Sequence, residues 1–271
     1  MEKETWLLWL LADSQLPTGG FVASAGLEAA LQAGLVSEGA AEGASDSLTA
    51  FIKDSALNQA RLALPFCSRV YEETAARLAQ ESGGSSAAIQ SVLAEFLGLD
   101  NYLHAMLSSN KVAMRASVAQ GGGLLSLFTR GYALAECMAD QRGQACLGVA
   151  KQLQRLARLG EAKAHWATVF GLVCAALGIS LAHMQQLYMF QFVRQVFSAA
   201  IRLNLVGPLR AQMLECDMHP FVSGLLKEHA HLRVAFGSLD DLFGESAVYT
   251  EPILELYQGM HDRLYSRIFN S

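Results

Sequence analysis

The stretch from Ala164 to Val193 reads AHWATVFGLVCAALGISLAHMQQLYMFQFV and contains no Asp, Glu, Lys or Arg. A membrane span needs about 20 consecutive apolar residues. This run is interrupted by Gly178-Ile179-Ser180, and His183 and Gln185-Gln186 follow. We therefore predict two helices, joined near Gly178 to Ser180, that cross the middle of a non-membrane bundle. The alternative is a membrane bundle, which would need detergent to stay in solution.

Apolar residues elsewhere recur with the period of an α-helix. Two helix faces are formed by Leu48, Phe51, Ile52 and Leu62, and by Val92, Phe96, Leu99, Leu103, Met106 and Leu107. Helix breakers separate such stretches at Gly34, Gly39 to Gly43, Ser82 to Gly84, Gly121 to Gly123, Gly160, Gly207-Pro208, His219-Pro220 and Gly237 to Gly244. The sequence predicts an all-α fold: a single domain over residues 1–271, with about ten helices around one or two hydrophobic central helices.

Two features of the last part of the chain predict local structure. The segment GSLDDLFGES, from Gly237 to Ser246, combines three acids with two glycines and predicts an exposed mobile loop. Thr250 and Pro252 then mark the start of the last helix, because proline lacks only a donor that the first turn does not use. We expect that helix to end the chain with MHDRLYSRIFNS.

Composition narrows the class of protein. Of the 271 residues 52% are hydrophobic and only 17% are charged, against roughly 25% charged in an ordinary globular protein. The net charge of −5 argues against a nucleic-acid binder. Five scattered cysteines without a C-x-x-C pair indicate reduced thiols, and the short apolar run at the start has an acidic flank that does not fit a signal peptide. We expect a cytoplasmic protein.

No known catalytic motif is present, so we expect a protein that is not an enzyme. The turn from Pro17 to Phe21 is rich in glycine, but a phosphate loop would require a Gly-Lys-Ser/Thr end, and no Lys lies between Lys3 and Lys53. The hydrolase motif G-x-S-x-G is also absent. The alternative is a helical enzyme or small-ligand carrier, with a pocket between the central helices lined by His165 and Arg202.

Metal ligands are sparse. His229 and His231 are candidates, and Cys216 with His219 form a second pair, but neither pair has the four-ligand spacing of a zinc site. The simpler interpretation of both pairs is exposed polar helix ends. We therefore expect no resident cofactor or metal.

Three polar residues lie in apolar surroundings. His165 is either a ligand or, more commonly for such a histidine, a core residue satisfied by a backbone carbonyl. Arg202 and Asn204 lie among aliphatic residues, where charges are rarely left unpaired, and predict a polar network or an interface. Met184, Met189 and Tyr188 are predicted to be ordinary core residues.

Four ordered blocks of the sequence resemble the UreF family of urease accessory proteins, which are nickel-insertion chaperones. The first is Pro17-x-Gly19-Gly20-Phe21-x-x-Ser24-x-Gly26-Leu27-Glu28. The second comprises Asn110 to Met114, Arg115 and Ser117 to Gly121; the third comprises His165-Trp166-x-x-Val169-Phe170-Gly171 with Ser198-Ala199-Ala200-x-Arg202-Leu203; the fourth is His261-Asp262-x-x-x-Ser266-Arg267-Ile268-Phe269-Asn270-Ser271. The resemblance spans nearly the whole chain.

The resemblance implies an all-α, homodimeric, cytoplasmic adaptor. Such a protein joins the accessory protein UreD, also called UreH, to the GTPase UreG, and the assembly delivers nickel to the urease apoprotein. Modulation of GTP hydrolysis by UreG belongs to the same implied role.

The resemblance also places the partner-binding residues in two segments, 1–20 and 260–271, and around them. The expected contacts are Pro17, Gly19, Phe21, Ser24, Gly26, Glu28, Arg202, His261, Ser266, Arg267 and Phe269. Ser24 and Glu28 are expected to meet UreG, because Glu28 reads as an exposed carboxylate. The aromatic, basic tail is expected to become ordered on a partner, the alternative being that it packs on its own domain.

Overall fold

The computed structural model describes residues 1–13, 15–37, 44–80, 86–135, 141–235 and 247–271. Eleven α-helices lie in these ranges, and no β-strand does. They are α1 (Lys3–Ala12), α2 (Leu27–Gln32), α3 (Ala44–Gln80), α4 (Ser86–Met106), α5 (Lys111–Arg130), α6 (Gln141–Leu159), α7 (Trp166–Leu177), α8 (Leu181–Arg202), α9 (Pro208–Asp217), α10 (His219–His229) and α11 (Pro252–Met260). The predicted all-α class is confirmed.

The core is built around α7. Every residue from Ala167 to Leu177 is buried, because α3 and α5 pack against this helix, with α4, α6 and α8 also in contact. A helix enclosed by neighbours must be apolar on all sides, which explains the uncharged stretch. At Gly171 an added Cβ would collide with the backbone carbonyl of Cys67, so glycine is what lets α3 approach this closely.

The two-helix interpretation of the central stretch is confirmed. Gly178 ends α7 in a left-handed conformation with φ of 77°, and α8 begins at Leu181. Unlike α7, α8 buries only one side, which includes Met184, Met189 and Tyr188, the three residues expected in the core. Among the described residues, no helix is both long enough and apolar enough to cross a membrane.

The prediction of a helix break at Gly121 to Gly123 is wrong, since α5 runs without interruption from Lys111 to Arg130. Two of these glycines, Gly121 and Gly123, permit close packing instead. A Cβ at Gly121 would collide with the backbone of Ala164 and His165, and a Cβ at Gly123 would lie 3.0 Å from the Cα of Thr18.

Most other breakers end helices as predicted. Gly34 and Gly160 have positive φ just beyond the ends of α2 and α6, and α9 and α10 begin at Pro208 and His219. The last helix begins at Pro252, but a short 3-10 turn follows Met260, so the ending of the chain is not helical. The breakers at 39–43 and 82–84 and the loop predicted at 237–246 lie outside the described residues.

Candidate functional site

The end of the chain is held against α2 by one buried carboxylate. Glu28, 2% exposed, accepts hydrogen bonds from the backbone N–H of Ile268 (2.6 Å, Oε1) and of Phe269 (3.1 Å, Oε2). The Nε2 of His261, fully buried, lies 3.1 Å from the same Oε2. A buried carboxylate needs such donors to offset its lost hydration. Glu28 therefore fixes the path of the tail, defined here as residues 261–271.

Backbone contacts continue this attachment to the final residue. The N–H and the hydroxyl of Ser24 both donate to the carbonyl oxygen of Ser271, at 2.6 and 3.0 Å, and the N–H of Asn270 donates to the carbonyl of Val22 at 2.9 Å. Gly26 has φ of 88°, and an added Cβ would lie 2.9 Å from the Cβ of Gln258. The first and fourth sequence blocks are thus packed together, although more than 230 residues separate them.

Arg202, in the third sequence block, contacts both the first block and the fourth. Its guanidinium carbon lies 3.7 Å from the ring centre of Phe21 and 4.3 Å from that of Phe269. These are cation–π distances. Burial lowers the pKa of Arg202 from its ordinary value. Of the two alternatives predicted for Arg202 and Asn204, a polar network or an interface, the network is wrong for Asn204: its side chain is exposed, and its φ of 62° places it in the turn that ends α8.

The second block contacts the tail on the outside. Arg115 and Asp262 form a two-pronged ion pair, with both N···O distances 2.7 Å. Asn110 caps α5 by accepting from the N–H of Ala113 and donates to the Oε1 of Gln258 at 3.1 Å, which holds α11 in place. The Arg115–Asp262 hydrogen bond lowers the pKa of Asp262 and raises that of Arg115.

His165 is a core residue, but side chains rather than a backbone carbonyl satisfy it. Its Nδ1 lies 3.1 Å from the hydroxyl of Ser117 and its Nε2 3.1 Å from the Nδ1 of His104. The pKa of His165 is lowered to about 4, chiefly by burial and further by the neighbouring His104 and Lys163, against the opposing effect of Asp100. The imidazole is therefore neutral at pH 7.

Sequence reasoning missed Asp100, which organises the start of α7. Its carboxylate is fully buried and accepts from the backbone N–H groups of Lys163, Ala164 and His165 and from the hydroxyl of Thr168, at 2.7 to 2.9 Å. The available signal was an acid in the apolar run LGLDNYL of α4.

A family model described as UreF matches residues 43–219. The chain belongs to the UreF family. It is 34% identical to "Urease accessory protein F" of Arabidopsis thaliana over 98% of this chain and 92% of the relative. It is also 32% identical to the protein of the same name from Oryza sativa subsp. indica (99% and 85%) and 29% identical to "Urease accessory protein UreF" of Paenarthrobacter aurescens (96% and 95%).

The predicted contact residues of this UreF-family chain fall into two groups. Those exposed to solvent are Pro17, Gly19, Phe21, Ser266 and Arg267, those buried are Ser24, Gly26, Glu28, His261 and Phe269, and Arg202 lies partly buried between them. The expectation that Glu28 is an exposed carboxylate is wrong, because the tail covers it. The expectation that the tail becomes ordered only on a partner is also wrong, because it packs on its own domain through Glu28 and Ser24.

Both candidate pairs of metal ligands lie at helix ends in this UreF-family fold. His229 is the last residue of α10, and His231 lies exposed two residues beyond it. Cys216 and His219 are both exposed, on α9 and at the first position of α10. Within the described ranges, no group of three or more His, Cys, Asp or Glu side chains is placed to hold a metal ion.

Two cavities bear on the small-ligand alternative. The larger, about 650 Å³, lies between α8, α9 and the segment 12–21, and Arg202 and Trp166 line it. The smaller, about 140 Å³, lies between α3, α5, α8 and α11, and Tyr188 lines it. His165 lines neither, so the predicted pairing of His165 with Arg202 in one pocket is wrong. The reason is that Ser117 and His104 enclose the imidazole.

Proposed function

We propose that this chain is a non-catalytic adaptor of urease maturation that joins UreD/UreH to the GTPase UreG and takes part in nickel delivery to the urease apoprotein. Nickel is cargo in this scheme. The observation that carries the proposal is membership of the UreF family together with a tail that is internally anchored yet keeps large side chains in solvent. We also propose that the chain acts in the cytoplasm as a homodimer.

The exposed part of the tail is well suited to protein contact. Tyr265 is fully exposed and Ile268 is 65% exposed, while Phe21 nearby is 64% exposed. Aromatic and aliphatic side chains on a fixed backbone contribute contact area at little cost in conformational entropy. The buried anchors Glu28, His261 and Phe269 then act by holding this surface in shape rather than by touching a partner.

Ser24 and Glu28 contribute to UreG recognition, in this proposal, only through the tail they hold. We propose that the exposed residues Pro17, Gly19, Phe21, Ser266 and Arg267 supply the direct contacts. Modulation of GTP hydrolysis would follow from the way this surface positions UreG. A Glu28→Gln protein that keeps its tail attached should therefore leave the hydrolysis rate of bound UreG unchanged.

The direct test is size-exclusion chromatography with light scattering, on the chain alone, with UreD/UreH, and then with UreG added. We expect a dimer that shifts to a stable complex with UreD/UreH and shifts again with UreG. Deleting residues 261–271 should abolish the complex, but it also removes buried contacts of His261 and Phe269. A sharper variant is the double change Tyr265→Ala and Ile268→Ala, since both side chains are largely in solvent.

The matched control is Leu209→Ala, because Leu209 is 89% exposed on α9. Loss of co-elution in the double variant, with retention in the control and unchanged helical content, is the expected pattern. Full retention of UreD/UreH binding by the double variant would refute the role of the tail. A chain that never co-elutes with UreD/UreH would refute the adaptor function.

A further inference from the structure

Helix α1 carries apolar side chains on two opposite sides. Leu7 and Leu11 are buried against the rest of the chain, whereas Trp6, Trp9 and Leu10 are 52%, 60% and 39% exposed. The spacing of three and four residues places these exposed side chains on one side of the helix, called here the outer stripe. A helix that is apolar on all sides is typical of a buried position. The chain itself covers only half of this helix.

The outer stripe is held on a fixed backbone. At one end of α1 the Oε1 of Glu4 accepts from the N–H of Ser180 at 2.7 Å and lies 2.8 Å from the Nδ1 of His183. These hydrogen bonds lower the pKa of Glu4 to about 2, so the carboxylate is ionised at pH 7. At the other end the carbonyl of Leu11 accepts from the Nε2 of Gln191. Side chains on a fixed helix lose little conformational freedom when another surface covers them.

The outer stripe lies apart from the surface proposed for UreD/UreH. α1 runs beside the first half of α8, from Ser180 to Gln191, whereas the tail reaches the end of α8, where Arg202 contacts Phe21 and Phe269. Eleven positions of α8 separate Gln191 from Arg202, which is roughly 16 Å at 1.5 Å per residue. One protein on the tail and another on α1 therefore do not compete for the same contacts.

The charges around the outer stripe favour a partner with the same character. No Asp, Glu, Lys or Arg lies between Thr5 and Ala12, while Glu2 and Lys3 are exposed at one end of α1 and Asp13 at the other. A strongly charged partner finds no matching charge in the middle of this surface. In a two-fold contact between antiparallel copies of α1, the uncharged middle meets itself. Glu2 and Lys3, whose charges cancel, then meet Asp13 of the second copy.

The area of the outer stripe is sufficient for a dimer. A whole tryptophan presents about 250 Å², so the exposed fractions of Trp6 and Trp9 correspond to about 280 Å², and Leu10 brings the stripe to roughly 350 Å². Two copies would bury about 700 Å² of apolar surface, which at about 65% apolar area predicts a whole interface of about 1,100 Å². Specific interfaces begin at about 1,000 Å².

We propose that the outer stripe of Trp6, Trp9 and Leu10 binds the same stripe of a second copy of this chain in a two-fold, antiparallel contact. The inference rests on the homodimer of the proposed function and names the face that forms it. Among the described residues, α11 is the other helix that exposes three large apolar side chains. Because α11 leads directly into the tail, its exposed side belongs with the surface proposed for UreD/UreH, and α1 is left for self-association.

The first test is tryptophan fluorescence of the wild-type chain during dilution, with the mass followed by light scattering. The chain contains three tryptophans, and two of them lie on the outer stripe. We expect the emission to shift to the red as the dimer dissociates, because Trp6 and Trp9 return to water. The matched control is the double change Trp6→Phe and Trp9→Phe, whose emission comes from Trp166 and should not shift. A wild-type dimer that dissociates without a shift would overturn the proposal.

The second test places a charge in the outer stripe. Trp9→Lys should raise the dissociation constant of the dimer at least about a hundredfold, because a two-fold interface loses the side chain twice. The matched control is Leu159→Lys, since Leu159 is 60% exposed at the end of α6, and its dissociation constant should stay within about twofold of wild type. Both variants should keep the helical dichroism and the co-elution with UreD/UreH of the wild-type chain.

The outcomes separate this face from the homodimer itself. A wild-type chain that stays monomeric up to about 100 μM would refute the homodimer of the proposed function. A wild-type dimer that survives Trp9→Lys would refute only the assignment to α1. Loss of UreD/UreH binding by Trp9→Lys would assign the outer stripe to that partner and overturn the proposal.

Discussion

The close packing of α5 against the start of α7 predicts that replacing Gly121 by alanine destabilises the protein. In Gly121→Ala the new Cβ would lie 2.7 Å from the carbonyl carbon of His165 and 2.8 Å from the N of Trp166, and closer still to the carbonyl oxygen of Ala164. These atoms are backbone, so no side-chain rotation can relieve the collision. Gly122, the next residue of the same helix, has nothing within 4 Å of its ideal Cβ and is exposed.

The two variants should therefore change stability in opposite directions. Alanine in a helix is favoured over glycine by about 1 kcal/mol, so Gly122→Ala should stabilise the protein by about 0.5 to 1 kcal/mol. Overpacking costs about 1 to 3 kcal/mol even where side chains can move. Because the obstacle in Gly121→Ala is backbone, the overpacking cost of this variant should lie at or above about 3 kcal/mol. Subtracting the helix gain of about 1 kcal/mol leaves an expected destabilisation of about 2 kcal/mol.

Urea unfolding, followed by the far-ultraviolet dichroism of the helices, measures both free energies by linear extrapolation. The expected difference between the two variants is about 3 kcal/mol. If Gly121→Ala proves as stable as Gly122→Ala, the close approach of α5 to the start of α7 is wrong, and with it the account of why this helix has glycine at position 121.

Two further predictions concern buried polar groups. Glu28→Gln removes one acceptor from the tail and should destabilise the protein by about 2 kcal/mol, with faster hydrogen exchange at the amides of Ile268 and Phe269. The matched change Asp262→Asn, in a pair that is 40 to 51% exposed, should cost under about 1 kcal/mol. The pKa of His165, about 4 when folded against about 6.5 unfolded, means that the unfolded chain binds the proton first. The His165 imidazole should lower stability by about 3 kcal/mol as pH drops from 6.5 to 4. A urea midpoint that is unchanged over that range, or a pH slope that is not reduced in His165→Asn, would contradict the buried neutral imidazole.

The central helices could be predicted from sequence because their signal is local. A helix that is enclosed on all sides has an uncharged sequence. Gly178 marks the junction to α8 because glycine readily adopts the left-handed conformation that ends a helix. Both cues lie within the thirty residues from Ala164 to Val193. The helix faces of α3 and α4 are local in the same sense, since residues three and four apart report on one face.

The polar contacts could not be predicted because their partners are remote in the chain. Glu28 reads as a surface acid, and only the tail, 233 to 241 residues away, makes it a buried acceptor. Asp100 meets its four donors 63 to 68 residues later. The role of Gly121 also depends on a remote residue. Glycine both breaks helices and permits close packing, and only the position of Ala164 shows that Gly121 does the second.

These contacts also explain why the four sequence blocks occur together. Glu28 binds the tail, Arg202 contacts Phe21 and Phe269, Arg115 pairs with Asp262, and Ser117 meets His165. Each block therefore satisfies a polar or aromatic group of another, so the resemblance is carried largely by residues that assemble the fold. In the adaptor role proposed above, partner recognition would then depend on side chains left in solvent by this assembly, such as Tyr265 and Ile268. It follows that variants of the buried anchors test stability, and only variants of the exposed residues test binding.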